Sequence, residues 1–152
     1  MTSYQLAQLN LASALGPRED PRMADFYGAL AKINGAAEAA PGFVWRLQDE
    51  AGDATGIQAF PDPTVLVTMS VWQDLESLRA FVYESEHLAY LRRRKEWFRK
   101  SHGPNMVLWW IPAGHIPTLG EARQRLDHLA ASGPTPHAFA FPTVFEAHEV
   151  AA

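Results

Sequence analysis

The order in which hydrophobic periodicity switches along the chain constrains its fold more than any single motif. Tyr4 to Leu11 alternates, with Leu6, Gln8 and Asn10 on one side and Gln5, Ala7, Leu9 and Leu11 on the other, the two-residue period of a strand. Asp20 followed by Pro21 supplies a helix cap and a proline suited to the first helical position. From there Met23, Phe26, Tyr27, Leu30 and Ile33 recur at helical spacing, and Pro41-Gly42 stops the pattern after Ala39. Phe43 to Gln48 reads as a second strand, with Phe43, Trp45 and Leu47 on one face and Val44, Arg46 and Gln48 on the other. A polar loop follows over 49–63, and then a third strand, Val65 to Trp72. Asp74 caps a second helical region with Leu75, Leu78, Phe81 and Val82 as its inner stripe. The helical pattern resumes from Ser85 to Lys100 and ends near Gly103-Pro104, ahead of a fourth strand, Met106 to Ile111. Thr118 and Glu121 match a capping box that opens a last helix, which stops before Gly133-Pro134.

The element order is therefore β-α-β-β-α-β with an extra C-terminal helix and tail. This is the α+β ferredoxin-like arrangement, in which one antiparallel sheet carries both crossover helices on a single face. Residues 1–133 form a single domain in this reading, and the proline-rich tail, 134–152, packs on it. The strands carry large apolar residues on both faces, including Trp45, Trp72, Trp109 and Trp110. The face away from the helices is thus expected to meet a second sheet from a partner chain, making a homodimer.

Composition removes several function classes. With no cysteine there are no disulfides, thiolate metal sites or cysteine nucleophiles. A net charge of -4, from 13 Lys+Arg against 17 Asp+Glu, is the wrong sign for a general polyanion binder, so no nucleic acid partner is expected. The opening MTSYQLAQLN has neither a basic leader nor an apolar run, and Met106 to Ile111 is too short to cross a bilayer; no membrane association and a cytoplasmic location are expected. No two histidines have HExxH or HxH spacing, which argues against zinc, and His102, His128, His137 and His148 lie in polar or terminal contexts. The chain also lacks GxGxxG, GxxxxGK[ST] and GxSxG.

The segments AQLN, DPRMADF, PGFVWRLQDE, SVWQDLESLRAFVY, HLAYLRRRKEWF, LWWIPAGHIPT and GPTPHAFAF resemble a bacterial family catalogued as domain of unknown function 3291. That family is similar to the dimeric α/β-barrel proteins, which include small cofactor-free antibiotic biosynthesis monooxygenases and several haem proteins. The resemblance implies a dimeric α/β barrel. It also implies a small-molecule pocket with monooxygenase-like chemistry on an apolar or aromatic metabolite, using either no cofactor or haem. A non-catalytic ligand-binding or interaction module is the remaining class, because one fold hosts many functions.

Within that frame His87 and Arg94 are the candidate catalytic residues. Tyr83, His87, Leu91 and Arg94 follow one another at helical steps, which aims His87 toward a cavity between helices and sheet. A neutral imidazole there serves as general base or as an axial haem ligand, and Arg94 as partner of a carboxylate or propionate. Arg94 is also expected to depress the His87 pKa. A helix rotated to bury Leu88, Leu91 and Lys95 instead satisfies the pattern too, leaving His87 at the surface. Trp45, Gln48, Trp72, Tyr83, Trp97 and Trp109 are candidate binding residues, although the tryptophans equally suit a two-layer core. Trp109 and Trp110 are adjacent in a strand, so at most one shares the His87 cavity. The run Arg92 to Lys95 reads as a solvated helix face, and His115 as either a turn residue or a secondary site. Gln8, Asn10, Arg46, Thr68 and Ser70 are polar strand residues able to bond a ligand or one another.

Overall fold

The computed structural model describes residues 3–48, 57, 60, 62, 64–85, 87–100 and 103–150. Most of the loop expected over 49–63 lies outside the described residues, as do Glu86 and His102. The strands are β1 (Tyr4–Ala14), β2 (Phe43–Arg46), β3 (Val65–Trp72), β4 (Phe98–Arg99) and β5 (Met106–Pro112). The helices are α1 (Ala24–Ala39), α2 (Leu75–Glu84), α3 (His87–Arg92), α4 (Arg94–Trp97), α5 (Leu119–Ser132) and α6 (Ala147–Val150).

The sheet runs β2-β3-β1-β5 with every pairing antiparallel, the ferredoxin-like order; β1 is central and β4 pairs only with its far end. Cross-strand register makes the two faces explicit. Leu6 lies between Trp72 and Trp110, Gln8 between Ser70 and Leu108, and Asn10 between Thr68 and Met106, all on the side of α1 and α2. Ala7 and Leu9 alternate to the other side with Val71, Met69, Trp109 and Val107.

Local chemistry sets the helix ends. Asp20 accepts the Arg22 N–H ahead of a short 3-10 turn that leads into α1, and Asp74 Oδ1 accepts the Ser77 N–H at 2.8 Å to start α2. The stripe Leu75, Leu78, Phe81 and Val82 is buried against the sheet. Thr118 Oγ1 accepts the Glu121 N–H at 3.1 Å to start α5, and Gly133, at φ +72°, ends it by donating its N–H to Leu129.

Three expectations need correction. First, β2 does not alternate simply: a bulge between Phe43 and Trp45 puts one extra residue in the strand. Phe43 and Arg46 then share the α1 side, opposite Trp72 and Ser70, whereas Trp45 pairs with Val71 and turns to the other face. Second, the helix expected from Ser85 to Lys100 is broken. α3 stops at Arg92, Arg93 caps α4, and after Trp97 the chain extends so that Phe98 and Arg99 pair with Ala14 and Ser13. The Arg93 guanidinium staples this break to α1 through Asp25 at 2.7 Å and to Glu96 at 2.9 Å.

Third, the sheet face expected to be bare is covered within one chain. Ala122, Leu126 and Leu129 of α5 pack with Val107, Trp109, Ile111, Val67, Met69 and Val71 in one buried cluster. The second sheet of a partner is therefore not needed to bury it. The tail adds cover at the outer edge of β5, where Leu108 and Phe139 exchange backbone hydrogen bonds and Trp110 Nε1 donates to the Phe145 carbonyl at 2.9 Å. No helix among the described residues is long and apolar enough to cross a membrane.

Candidate functional site

A cavity of about 540 Å³ lies between the sheet and the helices, within the usual range for a small-molecule site. Its floor is the polar patch of β1 and β3: Gln8, Asn10, Thr68 and Ser70. Its walls are apolar, from Phe26, Leu30 and Ile33 of α1 and from Phe81, Val82 and Leu91 of α2 and α3. Ala140 and Phe141 close another side from the tail.

His87 reaches this cavity because of how α2 ends. Ser85 Oγ donates back to the Phe81 carbonyl and accepts the His87 N–H at 3.2 Å, which turns the chain into α3. The imidazole folds back over α2, its ring centroid 5.2 Å from that of Phe81 and its Nδ1 3.2 Å from the Val82 carbonyl oxygen. A carbonyl accepts only, so Nδ1 carries the proton and Nε2 keeps a lone pair. Nε2 has no hydrogen-bond partner among the described residues. Burial pushes the imidazole below its ordinary pKa, and the bond to Val82 opposes this only in part. Desolvation therefore takes the part expected of Arg94, which does not contribute to the shift.

Arg94 is exposed at the solvent side of the cavity. It donates Nη1 to the Leu91 carbonyl at 3.0 Å and meets no carboxylate within ion-pair reach among the described residues. Arg46, brought in by the β2 bulge, is instead held by Glu38 at 2.8 Å. No acidic side chain lines the cavity among the described residues, so its local charge is opposite in sign to that of the chain as a whole.

Of the other expected binding residues, Trp72 and Tyr83 line the cavity and four do not. Trp72 is buried, stacked on Phe81 at 5.2 Å, with its indole N–H donated to Ser70 Oγ at 2.8 Å. Tyr83 stands edge-on to Phe141 at 5.8 Å and is 42% exposed. Trp45 faces the α5 side because of the bulge, and Gln48 lies exposed past the strand end. Trp97 fills a separate cluster with Ala14, Met23 and Leu66 because the helix ends at it. Trp109 sits under α5, its Nε1 donating to Glu121 Oε2 at 2.8 Å, and Trp110 faces α2 but does not line the cavity.

His115 lies away from the cavity, with Nε2 2.7 Å from Glu121 Oε1. Burial would raise the Glu121 pKa, but the bonds from His115 and Trp109 outweigh it and hold the carboxyl below its usual range. Asn34 and Asn105 also line the cavity and were missed. Asn34 follows Leu30 by one turn on the buried stripe of α1, and a polar residue at that step was the available signal.

No curated protein matches the sequence. Among solved structures the chain is similar to PA3566 of Pseudomonas aeruginosa, at 13% identity over 77% of this chain and 99% of that one, TM-score 0.46. It is also similar to SnoaB, a cofactor-independent oxygenase of Streptomyces nogalater, at 15% identity over 75% and 97% of the two chains, TM-score 0.46. A third is the monooxygenase ActVA-Orf6 of Streptomyces coelicolor, solved with nanaomycin D, at 13% identity over 77% and 94%, TM-score 0.40. Likenesses this distant bear on neither reaction nor ligand. The family described as "Domain of unknown function (DUF3291)" matches residues 5–152, and the chain belongs to that family.

Proposed function

We propose that the cavity binds a small, largely apolar or aromatic molecule and that the protein oxidises it in a monooxygenase-like reaction. The observation that carries this reading is His87: a neutral imidazole on the cavity wall, with Nδ1 fixed on Val82 and Nε2 free. Such a group takes a proton from a phenol or an activated C–H in the ligand. Arg94 holds an anionic substituent at the solvent side, while Trp72 and the helix side chains keep water from the reacting carbon. Oxygen serves as the sole oxidant when the substrate supplies all four electrons. For 1-naphthol, one O2 gives 1,4-naphthoquinone and one water: a C–O bond forms at C4, the O–O bond breaks, and the proton held by His87 leaves in the water.

Two probes with the same rings test binding. The sulfonate 8-anilinonaphthalene-1-sulfonate is expected to bind more tightly than neutral N-phenyl-1-naphthylamine, and Arg94→Gln to remove that preference. Oxygen uptake with 1-naphthol is expected to saturate at one O2 per naphthol and to fall roughly 100-fold in His87→Gln. Probe binding without oxygen uptake favours a non-catalytic ligand-binding module.

The free Nε2 also favours a second reading, haem with His87 as axial ligand, since an axial histidine likewise has its other nitrogen hydrogen-bonded. The residues present fit that group poorly: a macrocycle is held largely by apolar contacts, and the cavity floor carries the polar side chains Gln8, Asn10, Thr68 and Ser70. A Soret band in purified protein, lost in His87→Ala, would reverse this ranking. Homodimerisation belongs to the proposal through the family resemblance alone, and sedimentation at micromolar concentration tests it.

A further inference from the structure

Strict alternation from Phe43 would send Arg46 to the α5 side of the sheet; the bulge in β2 turns it instead to the cavity, opposite Ser70 of the floor. Its side chain is only 13% exposed, whereas Arg22, Arg79, Arg93 and Arg99, in surface ion pairs, are 38–58% exposed. Glu38 of α1 takes up one edge of the guanidinium: its Oε1 accepts from both Nε and Nη2, each at 2.8 Å. The end-on edge, made by Nη1 and the second Nη2 proton, has no partner among the described residues. That edge is a fork which a carboxylate matches with two parallel N–H bonds. No acidic side chain among the described residues lines the cavity to claim it. Asn34, one turn before Glu38 on α1, also lines the cavity, and a carboxamide offers an N–H whichever way it is turned.

We propose that Arg46 is a second anion-recognising residue of the cavity: its free edge, with Asn34 of α1, takes a carboxylate carried in between α1 and β2. The ligand class is a flat aromatic acid whose carboxylate leads toward β2; a further anionic group, where the ligand has one, meets Arg94. This deepens the reading of the cavity as a small-molecule site and rests on it. Glu38 acts through Arg46, as a positioning residue that fixes the guanidinium and competes with the ligand for it.

The test compares 2-naphthoate with 2-naphthamide at neutral pH, which share a shape and differ in charge. A carboxylate loses more than an amide on leaving water, so the acid wins only where a cation meets it. By isothermal titration the wild-type protein is expected to bind the acid roughly tenfold more tightly. Arg46→Gln removes that preference while affinity for the amide is retained, and Arg94→Gln keeps it. The sulfonate of 8-anilinonaphthalene-1-sulfonate differs, because the anilino ring beside it stops it from leading into the cavity and leaves it to Arg94. Glu38→Gln, a change at a half-exposed side chain, frees the whole guanidinium; it is expected to tighten the acid roughly threefold and to leave the amide unchanged, a gain that a purely structural bridge would not give. Unchanged or weakened binding of the acid in Glu38→Gln overturns the inference whether or not the Arg46 variant folds. A wild type that binds the acid no more tightly than the amide overturns the role of Arg46 alone, as does a preference lost with Arg94 and kept without Arg46. Failure of the wild type to bind either naphthalene overturns the cavity reading and the inference with it.

Discussion

The His87 imidazole donates Nδ1–H to the carbonyl oxygen of Val82, 3.2 Å away across the break between α2 and α3. Because burial depresses its pKa, the unfolded chain binds a proton at this position more readily than the folded one. Its contribution to stability is fully present above the unfolded value of about 6.5 and is lost as pH falls through the folded pKa. His137, lowered by burial with help from Arg125 and His128, acts in the same direction. The urea midpoint is therefore expected to fall on acidification below about pH 6.5, and less steeply in His87→Gln. Equal slopes in the two proteins would contradict the burial of this imidazole.

Glu121 has two jobs on one carboxylate. Its Oε2 takes the indole N–H of the fully buried Trp109 at 2.8 Å, and its Oε1 pairs with His115. Glu121→Ala leaves a buried donor unpaired, at a cost of about 1–3 kcal/mol, whereas Glu121→Gln keeps an acceptor and is expected to lose less. Since its folded pKa is depressed, the wild-type contribution is present above the unfolded carboxyl pKa and is lost as pH falls through the folded value. Chemical denaturation of the two variants at neutral pH checks the order.

The order of strands and helices was legible because each element has its own period and several have a cap in sequence: Asp20, Asp74 and Thr118 all accept the N–H groups their positions implied. The features that arrange the cavity were not. A one-residue bulge has no hydrophobic signature, yet the bulge near Val44 turned Trp45 away from the cavity and Arg46 into it. The break at Arg93 was hidden because the spacing of Leu91, Arg94 and Phe98 stays helical while the chain itself turns to pair Phe98 with Ala14. The apolar face bearing Trp109 and Val107 requires a cover, but an apolar stripe on α5 and the sheet of a second chain satisfy it equally. His87 was legible because its spacing from Leu91 and Arg94 survives within the short α3 and its junction with α4.

Gly42 joins α1 to β2 at φ +84°, and its carbonyl accepts the Gln73 N–H at 2.7 Å, tying the start of β2 to the end of β3. A Cβ there would run into the Ser77 side chain, at a backbone angle that L-residues rarely adopt. Gly42→Ala is expected to destabilise the fold by more than about 1 kcal/mol. Adding Ser77→Gly removes the collision but not the backbone strain, so partial recovery in the double variant, measured by thermal unfolding, is the expected result.

Phe139 holds the tail where it walls the cavity. Its side chain is fully buried against Leu108 and Trp110, its backbone pairs with Leu108 in both directions, and Ala140 and Phe141 beyond it line the cavity. Phe139→Ala removes the anchor and leaves a void, with an expected loss of about 3–5 kcal/mol in global stability. The loss should not be uniform. The amide protons of Leu108 and Phe139, which bridge the outer edge of β5, are expected to exchange faster relative to those of the central β1 pairings, because the tail opens before the sheet does. If their protection instead falls only in step with β1, the tail and sheet open as one unit, and Phe139 packs as part of the core rather than as a separable wall of the cavity.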